Sequence, residues 1–219
     1  MFHFFSYFMV KLTFLLKKMT LTRKEEILQT TSDLFNLKGF AAVSMRDIAK
    51  EVGIKPASIY HHVASKQEIL SEIIMSIAQE FMNGIEKISN STQTPITKLE
   101  AIIDLHVDLS IKYLSGMGCL NSEWIHLDDV NRKSFINMRG EYEERFRYII
   151  VEGIKNGSLN DHNVEAILFS ILSTLRNLFV WHIRKDKMKP SELKKQMKLI
   201  LLKGIVKQPV IMLDKRCEI

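Results

Sequence analysis

This chain is short of the residues that build redox, metal and disulfide chemistry. Its 219 residues include two cysteines, Cys119 and Cys217, which form no CxxC pair and are too few for a disulfide framework. A reducing, cytoplasmic setting is expected, with both thiols serving as small apolar fillers. Glycine and proline are scarce, at nine and four residues. That argues against a turn-rich sheet protein and for helices joined by short connections. Catalytic signatures are missing: there is no nucleophile elbow, no Walker loop and no HExxH zinc pair. The glycine-bearing run "GMGC" at 116–119 lacks the third glycine and the preceding strand of a dinucleotide site. Glu123, Asp128 and Asp129 sit in a charged stretch and read as solubilising groups rather than general acids or bases. No enzymatic activity, metal or cofactor is expected.

Long apolar runs are few, and neither candidate suits a membrane span. Phe2 to Leu16, "FHFFSYFMVKLTFLL", falls short of the ~20 residues a span needs. Lys11 interrupts it, and Lys17-Lys18 follow it, whereas a signal peptide carries its charge in front. Met19 is expected to be the natural start, with residues 1–18 an extension outside the fold; an interfacial membrane anchor is the alternative. The second run, "VEAILFSILSTLRNLFVWHI" from Val164 to Ile183, contains Glu165, Arg176, Asn177 and His182, which are costly in lipid. A helix apolar nearly all the way round must be covered on every side. The expectation is therefore burial on one side against its own domain and on the other against a second subunit.

The net charge is +6, but its location matters more than its size. Residues 19–89 hold 8 Lys+Arg and 9 Asp+Glu, a balance of −1, while 1–18 contribute +3 and 90–219 hold 20 basic and 16 acidic residues, +4. Bulk charge therefore says nothing for nucleic-acid binding by the N-terminal third. Local arrangement has to carry that argument.

Hydrophobic periodicity gives an all-α chain. Thr22 with Glu25 makes a capping-box spacing, and helix one is expected over about 22–38, stopped by Gly39. Ser44 with Asp47 caps a second helix that buries Ile48, Ala49 and Val52 and ends at Gly53. Pro56 suits the first turn of a short third helix carrying Ile59 and Val63 inward. The spacing is that of a helix-turn-helix. A long helix follows from Ser65, and the polar stretch "SNSTQT" at 89–94 resembles a hinge. Further helices are expected over about 95–115, 119–127, 131–156, 161–186 and 190–206. In the last of these, Leu193, Met197, Ile200, Leu201 and Leu202 form one side and Lys194, Lys195 and Lys198 the other.

The run "SMRDIAKEVGIKPASIYHHVASKQEIL" resembles the signature of TetR-type bacterial transcriptional regulators, and the likeness covers about residues 21–72. Val63 stands where such proteins commonly carry Phe. The resemblance implies a helix-turn-helix DNA-binding domain at 19–66, a larger helical ligand-binding and dimerisation domain at 67–207, and a tail at 208–219. A recognition helix offers the side chains of its N-terminal half to base edges while flanking groups grip phosphates. Lys55, Pro56, Ala57 and Ser58 hold that N-terminal position, with Lys55 and Ser58 the candidates for base contact. Tyr60, His61 and Lys66 are the expected phosphate grips, helped by Arg46 and by the backbone amides at Ser44. His61 and His62 diverge by about 100° on a helix and do not suit one metal ion.

The stretch from Leu120 to Leu159 looks like the ligand domain of the subset of that family responding to acyl-coenzyme A thioesters. The likeness implies a homodimer on palindromic double-stranded operator DNA, released by a small hydrophobic or acyl-coenzyme A-like effector. Leu105, Leu109, Trp124, Phe179 and Trp181 are candidates for an apolar tunnel, and Arg139 and Arg176 for the anionic end. Arg145 and Arg147 follow Glu141, Glu143 and Glu144 closely enough for ordinary surface pairing. Arg176, inside an apolar helix, requires a carboxylate partner or a bound anion. His106, His126 and His182 read as ordinary polar histidines.

Overall fold

The computed structural model describes residues 21–180 and 188–207. The expected extension 1–18, the tail 208–219, Trp181, His182 and Cys217 lie outside the described residues. Nine α-helices run through the described part: α1 (Arg23–Lys38), α2 (Met45–Val52), α3 (Pro56–Ile59), α4 (Lys66–Ser89), α5 (Pro95–Lys112), α6 (Leu114–Gly118), α7 (Asp129–Lys155), α8 (Val164–Arg176) and α9 (Pro190–Leu202). One π-helical turn, Cys119–Glu123, and one 3-10 turn, Trp124–His126, join α6 to α7.

Local chemistry sets the N-terminal boundaries. Thr22 and Glu25 form the reciprocal capping box, as do Ser44 and Asp47, each satisfying two otherwise orphaned amide donors. Gly53 ends α2 at φ 77°, a left-handed conformation that glycine adopts without a side-chain penalty. The turn it makes drops the chain into α3, a single helical turn with Ile59 fully buried.

α4 is the spine of the molecule. Its buried row, Ile69, Leu70, Ile73, Ile74, Ile77, Ala78, Phe81 and Ile85, continues from the helix-turn-helix into the larger bundle without a break. The boundary expected at 66/67 falls on the first residue of this helix. At its far end, where the expected hinge begins, Ser89 is held from two sides. Lys98, 6% exposed, donates from Nζ to the Ser89 carbonyl at 3.2 Å and lies 3.7 Å from the Glu152 carboxylate. Arg145 donates to Ser89 Oγ from another side.

Two distal helices correct the periodic reading. The helix expected over 161–186 starts at Val164 and is interrupted at Asn177, with 178–180 helical again and the rest of the range outside the described residues, and the outer side of α8 is not apolar: Glu165, Ala166, Phe169, Ser170 and Thr174 are exposed. The Ser170 and Thr174 hydroxyls donate back to the carbonyls of Ala166 and Ser170, which leaves that stripe less polar than its composition. In α9, Leu193 and Leu202 are buried, while Leu199 and Ile200 face solvent. Lys194 and Lys198 are not on an outer polar side. They reach across to Asp108 and Asp104 of α5, each at 2.7 Å, as two rungs of one antiparallel ladder. Among the described residues no helix is long and apolar enough to cross a membrane.

Candidate DNA-binding surface and internal cavity

The residues expected at a duplex lie together around α2 and α3. Arg46, Lys55, Pro56, Ala57 and His61 are exposed, Ser58 is half-buried, and Tyr60 is 57% exposed. Ile59, the last residue of the short helix, and Val63, just beyond it, are buried, so the short helix is anchored by one face and displays the other. Pro56 sits at the first helical position, where its missing N–H costs nothing and its fixed φ suits the helix. Lys55 precedes it as the N-cap residue.

Ser44 is spent on structure. Its hydroxyl and its backbone N–H both go to the Asp47 carboxylate, at 2.5 and 2.9 Å. The same hydroxyl accepts the Asp47 N–H at 3.2 Å, so that first-turn amide is taken within the capping box.

Lys66 is also engaged within the fold. Its ammonium donates to the carbonyls of Phe40 and Val43, both at 2.8 Å, and rests 4.1 Å from the centroid of the Phe40 ring. Two of its three N–H bonds latch the loop between α1 and α2 to the start of α4. Lys66→Met takes a donor from two carbonyls, of which that of Phe40 keeps the Val43 N–H, and removes the cation from the ring. The expected loss is about 2 kcal/mol of unfolding free energy, read by urea denaturation; an unchanged midpoint and slope would show the latch to be idle.

The other side of Phe40 ties the DNA-binding domain to the bundle. Its backbone N–H donates to Glu123 Oε2 at 3.2 Å, and its ring stacks on His126 at 5.4 Å between centroids. Glu123 also lies 3.6 Å from His126. Gln67 donates to the His126 carbonyl, Ser71 to Asp128, and Ser115 to Asp33. Gly118 allows the close approach of α1, because a Cβ there would overlap the Asn36 side chain. Glu123 is therefore an interdomain clasp, not a solubilising group. Asp128 is the N-cap of α7. Cys119 is wholly buried on the same turn, and desolvation pushes its thiol up to about 12, so it stays protonated and inert.

The π-helical turn has a second face. Leu120 and Asn121 line a cavity of about 70 Å³ that α4 walls with Ala78, Phe81 and Met82. Its polar lining is sparse: His106 of α5, Tyr142 and Arg139 of α7, and Arg176 of α8. Arg176 has the carboxylate partner its helix demands, donating from Nη2 to Glu143 Oε1 at 2.6 Å, while Arg139 approaches the same oxygen at 3.3 Å. The Arg176 guanidinium holds the Glu143 carboxyl below its ordinary value against the opposing effect of burial. His106 is 3% exposed, and its Nε2 meets the Tyr142 hydroxyl at 2.9 Å. Burial pushes its pKa down to about 3, assisted by the Arg176 charge, and raises that of Tyr142. Both are neutral at any working pH.

Of the described residues expected to hold a ligand, the structure brings Arg139 and Arg176 to this cavity and not Leu105, Leu109, Trp124 or Phe179. Leu105 packs where α5 crosses Gly84 of α4; Leu109 and Phe179 are buried elsewhere. Trp124 lies 5.8 Å from the Phe135 ring, one layer behind the wall. Periodicity had no means of finding His106, whose significance depends on Tyr142, 36 positions away.

Two family models match the chain. Residues 27–73 match "Bacterial regulatory proteins, tetR family", and residues 92–205 match "Tetracyclin repressor-like, C-terminal domain". The "HTH-type transcriptional repressor KstR2" of Mycolicibacterium smegmatis is 24% identical over 186 residues, covering 84% of this chain and 91% of that protein. The structure of the ketosteroid transcriptional regulator KstR2 of Mycobacterium tuberculosis superposes with a TM-score of 0.80 at 22% identity, over 85% of this chain and 96% of that one. A crystal structure of AibR in complex with isovaleryl coenzyme A and operator DNA gives a TM-score of 0.69 at 18% identity, over 82% and 97%. The second family model spans more than half of the sequence and the first covers the helix-turn-helix, so the chain belongs to the TetR family of bacterial transcriptional regulators.

Proposed function

We propose that this regulator is a repressor that binds a palindromic operator as a homodimer and is released by a small, mainly apolar effector held in the cavity beside α4. The observation that carries the reading is the dual role of α4. Its N-terminal residue, Lys66, is hydrogen-bonded to the helix-turn-helix loop, and three turns later Ala78, Phe81 and Met82 wall the cavity. About 70 Å³ is far less than the ~300 Å³ and upward of ordinary ligand sites. An effector of that size must push the walls apart, and α4 is one of them. Recognition helices of a dimer must sit roughly 34–36 Å apart to meet successive major grooves, so a small tilt of α4 breaks that register. The π-helical turn shifts with the same wall and carries the Glu123 clasp on Phe40.

On the DNA side, Lys55 and Ser58 face base edges, and Arg46, Tyr60, His61 and the remaining Lys66 N–H meet phosphates, as do the Met45 and Arg46 amides of the first turn after Ser44. On the effector side, Arg139 and Arg176 lie where an anionic group such as the phosphates of an acyl-coenzyme A would approach. The solved AibR complex with isovaleryl coenzyme A supports that ligand class. Dimerisation uses the outer faces of α8 and α9, where Phe169 is 73% and Ile200 63% exposed.

The test is selection of an enriched palindrome from genomic fragments, followed by titration of that operator at several salt concentrations. Arg46→Ala is expected to lower the salt slope by about two in a dimer, roughly 0.9 per lost phosphate contact in each protomer. Tyr60→Phe, which removes no charge, should weaken binding across sequences and leave the slope unchanged. Selection that enriches no palindrome would refute the reading.

A further inference from the structure

One residue that lines the cavity carries a polar atom that the fold leaves unanswered. His106 Nδ1 is buried with no hydrogen-bond partner, although the ring lines the cavity and its other nitrogen is paired. Such an orphan costs free energy comparable to a lost hydrogen bond, so its presence beside an internal space points to a ligand atom.

Which kind of atom follows from the pairing at Nε2. A neutral imidazole carries one proton, on one nitrogen or the other. If Nε2 held it, Nε2–H would donate to the Tyr142 oxygen, and both the Tyr142 hydroxyl proton and the Nδ1 lone pair would be stranded in an apolar interior. If Tyr142 donates to Nε2 instead, the hydroxyl proton is satisfied and a single group is left over, the Nδ1–H. Burial favours the arrangement with fewer orphans. The cavity thus presents a fixed N–H donor, oriented from behind by Tyr142 and hemmed in by Phe81 of α4, whose ring centroid is 4.8 Å from the imidazole.

We propose that the cavity selects effectors bearing a neutral carbonyl oxygen, which accepts the hydrogen bond from His106 Nδ1–H while the apolar body packs among Met82, Met117, Leu120 and Met138. A carboxylate on His106 is the poorer match, since His106 and Tyr142 add no charge to balance it; an anionic group of the effector belongs instead with Arg139 and Arg176, two guanidiniums that share the one Glu143 carboxylate. The methionines supply an adaptable wall for a body of undefined shape. This inference rests on the cavity being the effector site.

The experiment uses the full-length protein and a matched pair of probes, cyclohexanone and methylenecyclohexane, which share a ring and differ in whether the exocyclic atom accepts a hydrogen bond. Cyclohexanone is expected to bind about tenfold more tightly, and His106→Phe, which keeps a ring but loses the donor, should erase that ratio. Nitrogen-15 shifts of the His106 ring in the unaltered protein give a reading that no folding defect can obscure: Nδ1 should be the protonated nitrogen, and the Nδ1–H proton should shift when the ketone is added. Protonation on Nε2 overturns the proposal, and so does a tenfold preference that survives in His106→Phe. Equal binding of both probes removes the carbonyl inference and leaves the effector-cavity reading standing. Binding of neither removes that reading and the inference with it.

Discussion

A protein carrying Phe169→Asp and Ile200→Asp together is expected to sediment as a monomer and to bind operator at least about 10³-fold more weakly than the unaltered protein. Both side chains face solvent in the isolated subunit, so the substitutions remove no core packing and should leave the helical content unchanged. In the proposed dimer the same positions lie on the mating faces of α8 and α9, where buried, unpaired carboxylates cost several kcal/mol. Operator recognition depends on two recognition helices held as one unit. A free monomer keeps only one half-site, and the gap between specific and non-specific binding is about 10³ or more. Sedimentation velocity and operator titration measure the two halves of the prediction separately. A double variant that remains dimeric would move the interface away from α8 and α9. A monomer that still binds at full affinity would overturn the requirement for a dimer.

The features legible in the sequence are those set within a few residues. Thr22 with Glu25 and Ser44 with Asp47 cap their helices as their spacing predicts, and Gly53 takes the left-handed turn. Arg176 also yielded to a short argument: a charge in an apolar helix needs a partner, and Glu143 is there. What escaped is set by contacts between distant segments. Glu123 looks like a solvated carboxylate until α1 brings the Phe40 amide to it, 83 positions away in sequence. Lys66 has the composition of a phosphate grip, yet carbonyls 26 and 23 positions earlier claim most of its ammonium. The polar stretch at 89–94 reads as a hinge because its composition is loop-like, and nothing local announces that Lys98 and Arg145, from neighbouring helices, hold its first residue, Ser89. The π-helical turn has no local signature at all. It arises where one short segment must face the cavity with Leu120 and the DNA-binding domain with Glu123.

Acidification below pH 6.5 should destabilise the protein with a slope of about one proton, and the source should be His106. Its imidazole is wholly buried among Phe81, Tyr142 and the cavity wall, with the Arg176 guanidinium adding to the penalty for a positive charge; its pKa falls from an ordinary 6.5 to about 3. The unfolded chain therefore takes up a proton that the folded chain refuses throughout the interval between those values. Stability is greatest above pH 6.5 and declines as the pH falls toward 3, by about 1.4 kcal/mol per pH unit for one such group. From pH 6.5 to 4.5 the loss is about 2–3 kcal/mol, a large share of a typical domain's total. The carboxylates with lowered values, Glu25, Asp47, Glu80, Asp128, Glu143 and Glu165, act in the same direction. Their contributions, however, are present above about pH 4.5 and disappear only below it, so the upper interval belongs to the histidine. His106→Phe replaces the titrating ring with one that has no proton to gain, and its stability should be nearly flat from pH 6.5 to 5. Urea unfolding at half-unit pH steps decides the matter. Parallel slopes for the two proteins over that interval would show that His106 accepts a proton in the folded state, and with it that the cavity floor is wet.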